Sequence, residues 1–267
     1  METFQCAVVT GASSGIGREF AHQLAPNCEH LVLVARRESY LNELKGELES
    51  RGLRLHVHIV VADLTSAAER ESVLRATQEA GLRVDLLVNN AGMGDYGEFR
   101  SADWDKTAAM IELNMMALTH LCHLFLPQMI ARQSGGIINV SSLASTLPIP
   151  DFAVYAATKA YVSSFSEALR IELKDFKIPV VALCPGPVHT EFGSVANRNE
   201  GDSSFGAQEM FYVDQDLVVR KALDGLKENS ARVFPGMLVA GAALLIGALP
   251  LCAVRLMMAN RPRRAGE

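Results

Sequence analysis

Short apolar runs of strand length recur along the first part of the chain, and longer segments of mixed polarity separate them. The six runs are Cys6–Val9, His30–Val34, His56–Val60, Asp85–Val88, Gly136–Val140 and Pro179–Leu183. They are apolar on both faces, which is typical of strands that helices cover on both sides of a parallel sheet. Segments between them, such as Glu38–Ser50 and Ser66–Ala80, have helical spacing. The alternation predicts a doubly wound α/β fold with a single parallel sheet of about seven strands and helices on both faces.

The segment "RVFPG", residues 232–236, leads into the longest apolar stretch of the chain. The chain is predicted to divide into a Rossmann-type domain, residues 1–234, and an apolar C-terminal helical extension with a basic tail, residues 235–267. The net charge of −5 argues against a nucleic-acid surface, which normally needs a basic excess. Five arginines and one glutamate follow residue 230, so this part carries a formal +4, and the total of −5 leaves −9 on the rest.

Five cysteines are scattered along the chain without the spacing of a zinc site or a disulfide framework. We therefore predict free, buried thiols in a reducing compartment and no metal site. The N-terminal sequence has no basic stretch followed by a long apolar run, so no secretory signal is visible. These observations predict a cytoplasmic protein.

Ligands of such sheets bind at the carboxyl ends of the strands. The first strand is followed there by "TGASSGIG", which places Gly11, Gly15 and Gly17 before the first helix. Glycines at this turn let the backbone approach a pyrophosphate, which then sits at the helix N-terminus. The spacing predicts a dinucleotide site of Rossmann type, although a glycine-rich turn needs no ligand to form.

The end of the second strand indicates which dinucleotide is preferred. Proteins that bind NAD place a carboxylate there, about 20 residues after the glycines, against the ribose 2′-hydroxyl. Here Arg36 stands 19 residues after Gly17, within "ARR", and a guanidinium pairs well with a 2′-phosphate. We predict NADP(H) over NAD(H), with Arg36 as the main phosphate ligand and Arg37 or Ser13 assisting; the alternative is a solvated arginine. Asp63 is interpreted either as an acceptor for the adenine amino group or as a helix N-cap.

The sequence "YAATK" puts Tyr155 and Lys159 at positions i and i+4, on one face of the helix that follows strand five. A neighbouring ammonium and an oxidised nicotinamide ring are expected to lower the pKa of the tyrosine. Tyr155 could then donate a proton to a carbonyl oxygen, or accept one from an alcohol. Ser142, at the end of strand five, could hydrogen-bond the same oxygen.

From Thr3 to Val233 the chain resembles the short-chain dehydrogenase/reductase family. The resemblance rests on "TGASSGIG", "NNAG", a "SS" 13 residues before "YAATK", and "PGPVHT", in the family's order. It implies the catalytic residues Ser142, Tyr155, Lys159 and Asn114, with Ser141 as the less favoured serine and Asn114 as the residue that bends its helix and anchors a water. It implies cofactor contacts from Gly11, Ser13, Ser14, Gly15, Ile16, Gly17, Arg36, Arg37, Asp63, Leu64, Asn90, Ala91, Gly92, Tyr155, Lys159, Pro185, Gly186, Val188 and Thr190, while Asn89 supports the sheet.

The loops after strands four, five and six set the substrate in this family, and here they are rich in apolar side chains. These are Met93, Tyr96, Leu143, Leu147, Phe152, Phe192, Phe205, Phe211 and Tyr212. We expect a lipophilic ketone, aldehyde or alcohol as substrate and a homodimer or homotetramer. Two other hypotheses remain at this point, namely a non-catalytic NADP(H)-sensing regulator and an isomerase or lyase on the same scaffold.

The extension contains 22 consecutive residues, Val233–Val254, without a charge, hydroxyl or amide side chain. That length could span a bilayer, but Pro250 should kink the segment, and a single crossing would export the arginines that follow it. Two interpretations remain. The segment either packs on the domain or a partner subunit over the substrate pocket, or it lies at a membrane surface with its arginines toward anionic headgroups.

Overall fold

A seven-stranded parallel sheet forms the centre of the protein. The computed structural model describes residues 3–198 and 209–259. The strands are β1 Phe4–Thr10, β2 Cys28–Ala35, β3 His56–Val61, β4 Leu86–Asn89, β5 Gly136–Val140, β6 Val180–Leu183 and β7 Arg232–Val233. Their order is β3-β2-β1-β4-β5-β6-β7, and each neighbouring pair is parallel. The predicted doubly wound Rossmann fold is confirmed.

Helices cover both faces of the sheet. They are α1 Gly15–Leu24, α2 Glu38–Glu49, α3 Ala67–Glu79, α4 Trp104–Ile111, α5 Leu118–Arg132, α6 Ala153–Glu172, α7 Glu191–Ala196, α8 Gln215–Lys227, α9 Met237–Ala248 and α10 Leu251–Ala259. The two helices predicted from spacing, α2 and α3, end within one residue of their predicted limits. A short π-helical segment, Glu112–Ala117, joins α4 to α5.

Neighbouring residues of β1 face opposite cores, which explains why the strands are apolar on both sides. Val9 belongs to the core that packs under α1, α2 and α8, where Phe20 of α1 is fully buried. Val8 belongs to the core on the other face, together with Phe125 of α5 and Val162 of α6. Burying both faces of each central strand is what a doubly wound sheet requires.

The strand order reverses next to β1, because β2 lies on one side of it and β4 on the other. Chain connections leave the sheet in opposite directions at this point and open a crevice outside the carboxyl ends of the strands. The glycine-rich turn after β1 and the segments after β4, β5 and β6 all reach this edge.

The extension forms two short helices. α9 begins after Gly236, whose φ of 90° suits glycine, and it ends at Ala248; Leu249 and Pro250 separate it from α10. The two helices are bent by 117° relative to each other, as Pro250 predicted. Within the described residues, one continuous helical stretch, Trp104–Arg132, is long and apolar enough to cross a membrane, whereas α9 and α10 meet that criterion only as a bent pair.

Candidate active site

The glycine-rich turn is held in a shape that only glycine permits. Gly11 and Gly15 have φ values of 65° and 55°, and a Cβ on Gly17 would lie 2.3 Å from the Gly11 carbonyl oxygen. The Asn90 side-chain amide, after β4, donates to the Thr10 carbonyl at 2.9 Å and to that of Gly11 at 3.3 Å. The turn is thus fixed to the neighbouring strand, with the N-terminal amides of the ten-residue helix α1 beyond it. This cradle fits the pyrophosphate of a dinucleotide.

Arg37, rather than Arg36, contacts the glycine-rich turn. Its Nη2 atom donates to Ser14 Oγ at 2.9 Å and Ser13 Oγ at 3.1 Å, and it pairs with Glu191 Oε2 at 2.9 Å. The Arg36 side chain is 74 % exposed, and its Nη1 lies 3.7 Å from Asp63 Oδ2. Both guanidinium groups border the place where a ribose phosphate would lie, and both already have a carboxylate beside them.

Asp63 is held at the end of β3 by a local turn. Its Oδ1 accepts from the backbone N of Thr65 at 3.0 Å and from the Thr65 hydroxyl at 2.8 Å. Partial burial raises the pKa of Asp63, but the bonds from Thr65 and the charge of Arg36 outweigh it and hold the pKa below its ordinary value. The helix N-cap interpretation is wrong, because Ser66 is the N-cap residue of α3. The Asp63 carboxylate accepts instead from Thr65, the residue before that cap. Leu64, next to it, is buried.

The segment after β4 lines the same crevice. The backbone N of Ala91 donates to Thr10 Oγ1 at 3.0 Å, so the segment is tied to β1. A Cβ on Gly92 would lie 3.2 Å from Asn114 Oδ1 and 3.4 Å from Lys159 Nζ, which shows how closely these groups pack there. Asn89, by contrast, is buried in the sheet, where its Nδ2 donates to Asn139 Oδ1 at 2.9 Å.

Ser142 and Tyr155 meet at the carboxyl end of β5. The hydroxyl of Ser142 accepts from the backbone N of Ala144 at 3.1 Å, and it lies close enough to the Tyr155 phenol to lower the pKa of that group. Ser141 faces the other way, and its hydroxyl donates to the Lys159 carbonyl oxygen at 2.8 Å and lies 2.7 Å from Ser163 Oγ. Successive residues of an extended strand end point to opposite sides, so only one serine of the pair can face the crevice.

Lys159 lies one helical turn below Tyr155, as the spacing predicted. Its Nζ donates to the Val140 carbonyl oxygen at 2.8 Å and stands 5.7 Å from the centre of the Tyr155 ring. Burial lowers the pKa of Lys159 to about 8. An ammonium that is this deeply buried and has a single carbonyl partner is easily deprotonated, which distinguishes it from a surface lysine.

The protein's own side chains act on Tyr155 in the direction opposite to the one expected for the ammonium and the nicotinamide ring together. Burial raises the pKa of Tyr155 to about 12, and the Ser142 hydroxyl offsets only part of this effect. The physical reason is its surroundings: the ring of Phe152 stacks on that of Tyr155 at 4.2 Å, and the ring of Phe192 lies 5.5 Å away. The phenol therefore carries its proton at neutral pH.

Asn114 sits in the π-helical segment between α4 and α5. Its Nδ2 donates to the Met93 carbonyl oxygen at 2.9 Å and to Thr158 Oγ1 at 3.1 Å, and its Oδ1 accepts from the Met93 backbone N at 3.0 Å. π-helical turns are uncommon and frequently occur at functional sites. The segment thereby connects the loop after β4 to the helix that carries Tyr155.

The loop after β6 closes the crevice from the other side. The Pro185 carbonyl oxygen accepts from the backbone N of Leu143 at 2.8 Å, and a Cβ on Gly186 would lie 2.8 Å from Val239 of α9. Thr190 is the N-cap of α7, and its side chain lies over Gly15, whose Cβ would be 3.1 Å from it. Ile16 and Val188 are partly buried and pack on the core beneath.

Apolar side chains from three loops surround Tyr155. The cluster contains Met93, Tyr96, Met110, Ala144, Ile149, Phe152, Val154, Tyr155 and Phe192. Four of the predicted pocket residues are therefore brought together. Of the other five, Leu143 begins the 3₁₀ helix beside Ser142 and Leu147 follows its end, Phe211 and Tyr212 lead into α8, and Phe205 lies outside the described residues.

A family model for short chain dehydrogenases matches residues 5–201. The chain belongs to the short-chain dehydrogenase family. A sulfoacetaldehyde reductase from Chromohalobacter salexigens is 37 % identical over 204 residues, which cover 74 % of this chain and 78 % of that protein. A very-long-chain 3-oxoacyl-CoA reductase from Anas platyrhynchos is 36 % identical over 197 residues, covering 71 % and 62 %. The structure of a short-chain dehydrogenase from Sphingobium yanoikuyae in complex with NADPH matches with a TM-score of 0.80 and 30 % identity over 98 % of each chain.

This short-chain dehydrogenase is therefore an oxidoreductase that uses a nicotinamide cofactor and acts between carbonyl and alcohol groups. The relatives are named for different substrates, so the preference between NAD(H) and NADP(H) and the choice of substrate depend on the residues of this chain.

One ion-pair network of this short-chain dehydrogenase is not visible in its motifs. The buried carboxylate of Asp95 pairs with Arg198 and, at 3.0 Å, with Lys106 Nζ. The pairs fasten the loop after β4 to the exit of α7 and to α4, around the aromatic cluster. Asp95 and Arg198 lie 103 residues apart, so no sequence pattern joins them. The only sequence signal is that Asp95 stands three residues after the end of the "NNAG" motif.

Proposed function

We propose that the protein interconverts a lipophilic carbonyl compound and its alcohol with NADP(H), in the cytoplasm. One observation carries this proposal: a buried, protonated Tyr155 lies next to Ser142 and Lys159, within an aromatic cluster, at the edge of the sheet that bears the glycine-rich cradle. That combination suits proton transfer to an oxygen in a site from which water is excluded.

During reduction, the bound cofactor supplies a hydride to the carbonyl carbon. The Tyr155 phenol donates its proton to the carbonyl oxygen, and the Ser142 hydroxyl hydrogen-bonds the same oxygen while negative charge develops on it. The carbon thus gains a hydride, the oxygen gains a proton, and Tyr155 is left as a phenolate. The Lys159 ammonium stabilises that phenolate electrostatically, and oxidation of the alcohol reverses each transfer.

The contacts of Asn114 support a positioning role. It binds both backbone polar groups of Met93 and the Thr158 hydroxyl, and so fixes the loop after β4 relative to α6. The water that the family resemblance implies beside Asn114 would connect Lys159 to solvent. During reduction it would pass protons inward to Lys159, and this route would restore the proton on Tyr155 between turnovers. During alcohol oxidation protons would leave along the same route.

Arg36 and Arg37 support NADP(H) as the cofactor. Both are cationic, both stand at the end of β2, and Arg37 already donates to the serine hydroxyls of the glycine-rich turn. Asp63 and Glu191 partly neutralise them, so the preference for a 2′-phosphate should be smaller than for two unpaired arginines.

The aromatic cluster supports a lipophilic substrate. Among its described members none is charged. Lys106 and Arg198 are both paired with Asp95, and the Lys159 ammonium donates to the Val140 carbonyl oxygen. A strongly anionic substrate would need a free cation in the pocket. A neutral ketone or aldehyde gains instead from the apolar surface that it covers.

Large apolar side chains on neighbouring helical segments support a homodimer or homotetramer. Trp104 of α4, Met116 of the π-helical segment and Ile171 of α6 are 68 %, 50 % and 70 % exposed. Exposed apolar residues that recur on adjacent helices are typical of subunit interfaces.

Cofactor choice is tested with Ala35→Asp combined with Arg36→Leu, and with Arg37→Leu alone. We expect the first variant to weaken NADPH binding by about 10-fold, the low end of the 10- to 150-fold range for a charge-assisted bond, because Arg36 is mostly exposed. Binding of NADH should change little in Arg37→Leu. Dissociation constants for both cofactors, measured by fluorescence titration, provide the comparison.

The matched control is Arg220→Leu, which removes an exposed arginine on α8. It should leave both dissociation constants unchanged. A wild-type protein that oxidises NADH with a higher kcat/KM than NADPH, on the carbonyl substrate it prefers, contradicts the choice of cofactor.

A further inference from the structure

The outer surface of α9 and α10 is apolar and uncovered. Met237, Leu244 and Leu245 are 92 %, 76 % and 70 % exposed, and α9 has no polar side chain in its twelve residues. We call this the tail surface; it consists of Met237, Leu238, Leu244, Leu245, Leu249, Leu256 and Met257. A helix that is apolar all round is normally buried on all sides, so a second body should cover this one.

The opposite side of the two helices is fixed to the domain. Val239, Ala243 and Val254 are buried, and Val239 contacts Gly186 in the loop after β6. α9 also packs against the 3₁₀ helix Leu143–Thr146, which follows Ser142. The tail surface therefore faces outward from a helix whose position is already determined by its inner contacts.

The charge of the C-terminal segment indicates what covers the tail surface. Arg255 is exposed on α10, and Arg261, Arg263 and Arg264 follow it in sequence. With Glu267 they give residues 235–267 a formal +3, and the total of −5 leaves −8 on the rest. A second copy docked through the same surface by a twofold axis would bring two +3 segments together. Anionic lipid headgroups instead complement this charge, and their acyl region accepts the leucines.

Helix length decides how the segment meets a bilayer. A spanning helix needs about 20 residues, whereas α9 and α10 have 12 and 9 and are bent by 117°. We propose that the tail surface docks on an anionic bilayer surface as an interfacial helix pair, and that it holds the catalytic domain there. This extends beyond the proposed reaction, and it places α9, which touches the segment after Ser142, between the active-site edge and the lipid.

Vesicle flotation of the full-length protein tests this docking without any enzymatic readout. The probes are vesicles of phosphatidylcholine alone and of phosphatidylcholine mixed with phosphatidylglycerol. We expect binding to the mixed vesicles, and we expect salt to weaken it because surface charges are screened. Leu244→Gln combined with Leu245→Gln should weaken binding by at least about tenfold, and Arg255→Gln by about fivefold.

Phe99→Gln is the matched control, because it removes a large apolar side chain that is similarly exposed, 62 %, but lies in the short 3₁₀ helix Phe99–Ser101, outside the tail surface. It should leave vesicle binding unchanged. Circular dichroism melting of each variant shows whether it is folded. Equal binding to both vesicle types, or wild-type binding by the double leucine variant, overturns the proposal.

Light scattering after size-exclusion chromatography distinguishes docking on a membrane from covering of the tail surface by a second copy of the chain. If the double leucine variant lowers the oligomeric state and the wild type does not float with anionic vesicles, a second copy covers the tail surface and the membrane proposal is wrong. Vesicle binding by a protein that reduces no carbonyl compound would refute the proposed reaction alone.

Discussion

Replacing Tyr155 with phenylalanine is expected to lower kcat for carbonyl reduction by at least about 100-fold, the lower end of the range for general acid catalysis. The substitution removes only the hydroxyl, and with it the proton that the carbonyl oxygen receives. The ring that stacks on Phe152 at 4.2 Å remains, so the pocket keeps its shape. The measurement is single-turnover oxidation of NADPH by the preferred substrate.

Tyr161→Phe is a control on the same helix. The Tyr161 hydroxyl lies 2.9 Å from Thr119 Oγ1, far from the crevice, and its loss should change stability slightly and kcat not at all. The affinity for NADPH should be similar in both variants. A Tyr155→Phe protein that reduces the substrate at the wild-type rate would show that another group donates the proton.

Replacing Lys159 with methionine is expected to have the second-largest effect. Methionine keeps most of the volume but removes the charge that stabilises the Tyr155 phenolate, and kcat should fall by about 100-fold, the lower end of the range for the loss of an electrostatic donor. NADPH binding should also weaken, because Lys159 is expected to contact the nicotinamide ribose. Lys174→Met, at an exposed position after α6, is the control.

The pH dependence of stability provides an independent signature of Lys159. Its pKa is about 8 in the folded protein, below the ordinary value of 10.5, because burial disfavours the charged form. Between these two values the unfolded chain binds more protons than the folded one, so stability rises with pH across this window. The melting temperature of the wild type should therefore rise relative to that of Lys159→Met from pH 8 towards 10.5. If the melting temperatures of the two proteins changed in parallel with pH across this range, folding would not lower the pKa of Lys159.

The fold could be predicted from the sequence because its strands are buried on both faces. Runs such as His30–Val34 and Gly136–Val140 carry no polar alternation, and this pattern has few solutions other than a sheet between two helical layers. The i, i+4 spacing of Tyr155 and Lys159 similarly places both side chains on one face of α6 without knowledge of any other contact.

Interactions between distant segments could not be predicted. Whether Arg36 or Arg37 faces the glycine-rich turn depends on how the chain leaves β2, and Glu191 reaches Arg37 from a helix 154 residues later. The raised pKa of Tyr155 results from Phe152 and Phe192, which pack on it only after three loops have come together. Neither local propensity nor spacing contains this information.

Transfer of deuterium from NADPH that carries deuterium in place of both hydrogens at nicotinamide C4 tests the central claim most directly. We predict that the wild-type protein, given a panel of lipophilic ketones and aldehydes, forms an alcohol that carries one deuterium on the former carbonyl carbon for each NADPH consumed. A regulator that only binds NADPH consumes none, and an isomerase or lyase forms product without net consumption of cofactor. Product formation without deuterium at that carbon, or tight NADPH binding without turnover of any compound in the panel, would contradict the proposed reaction.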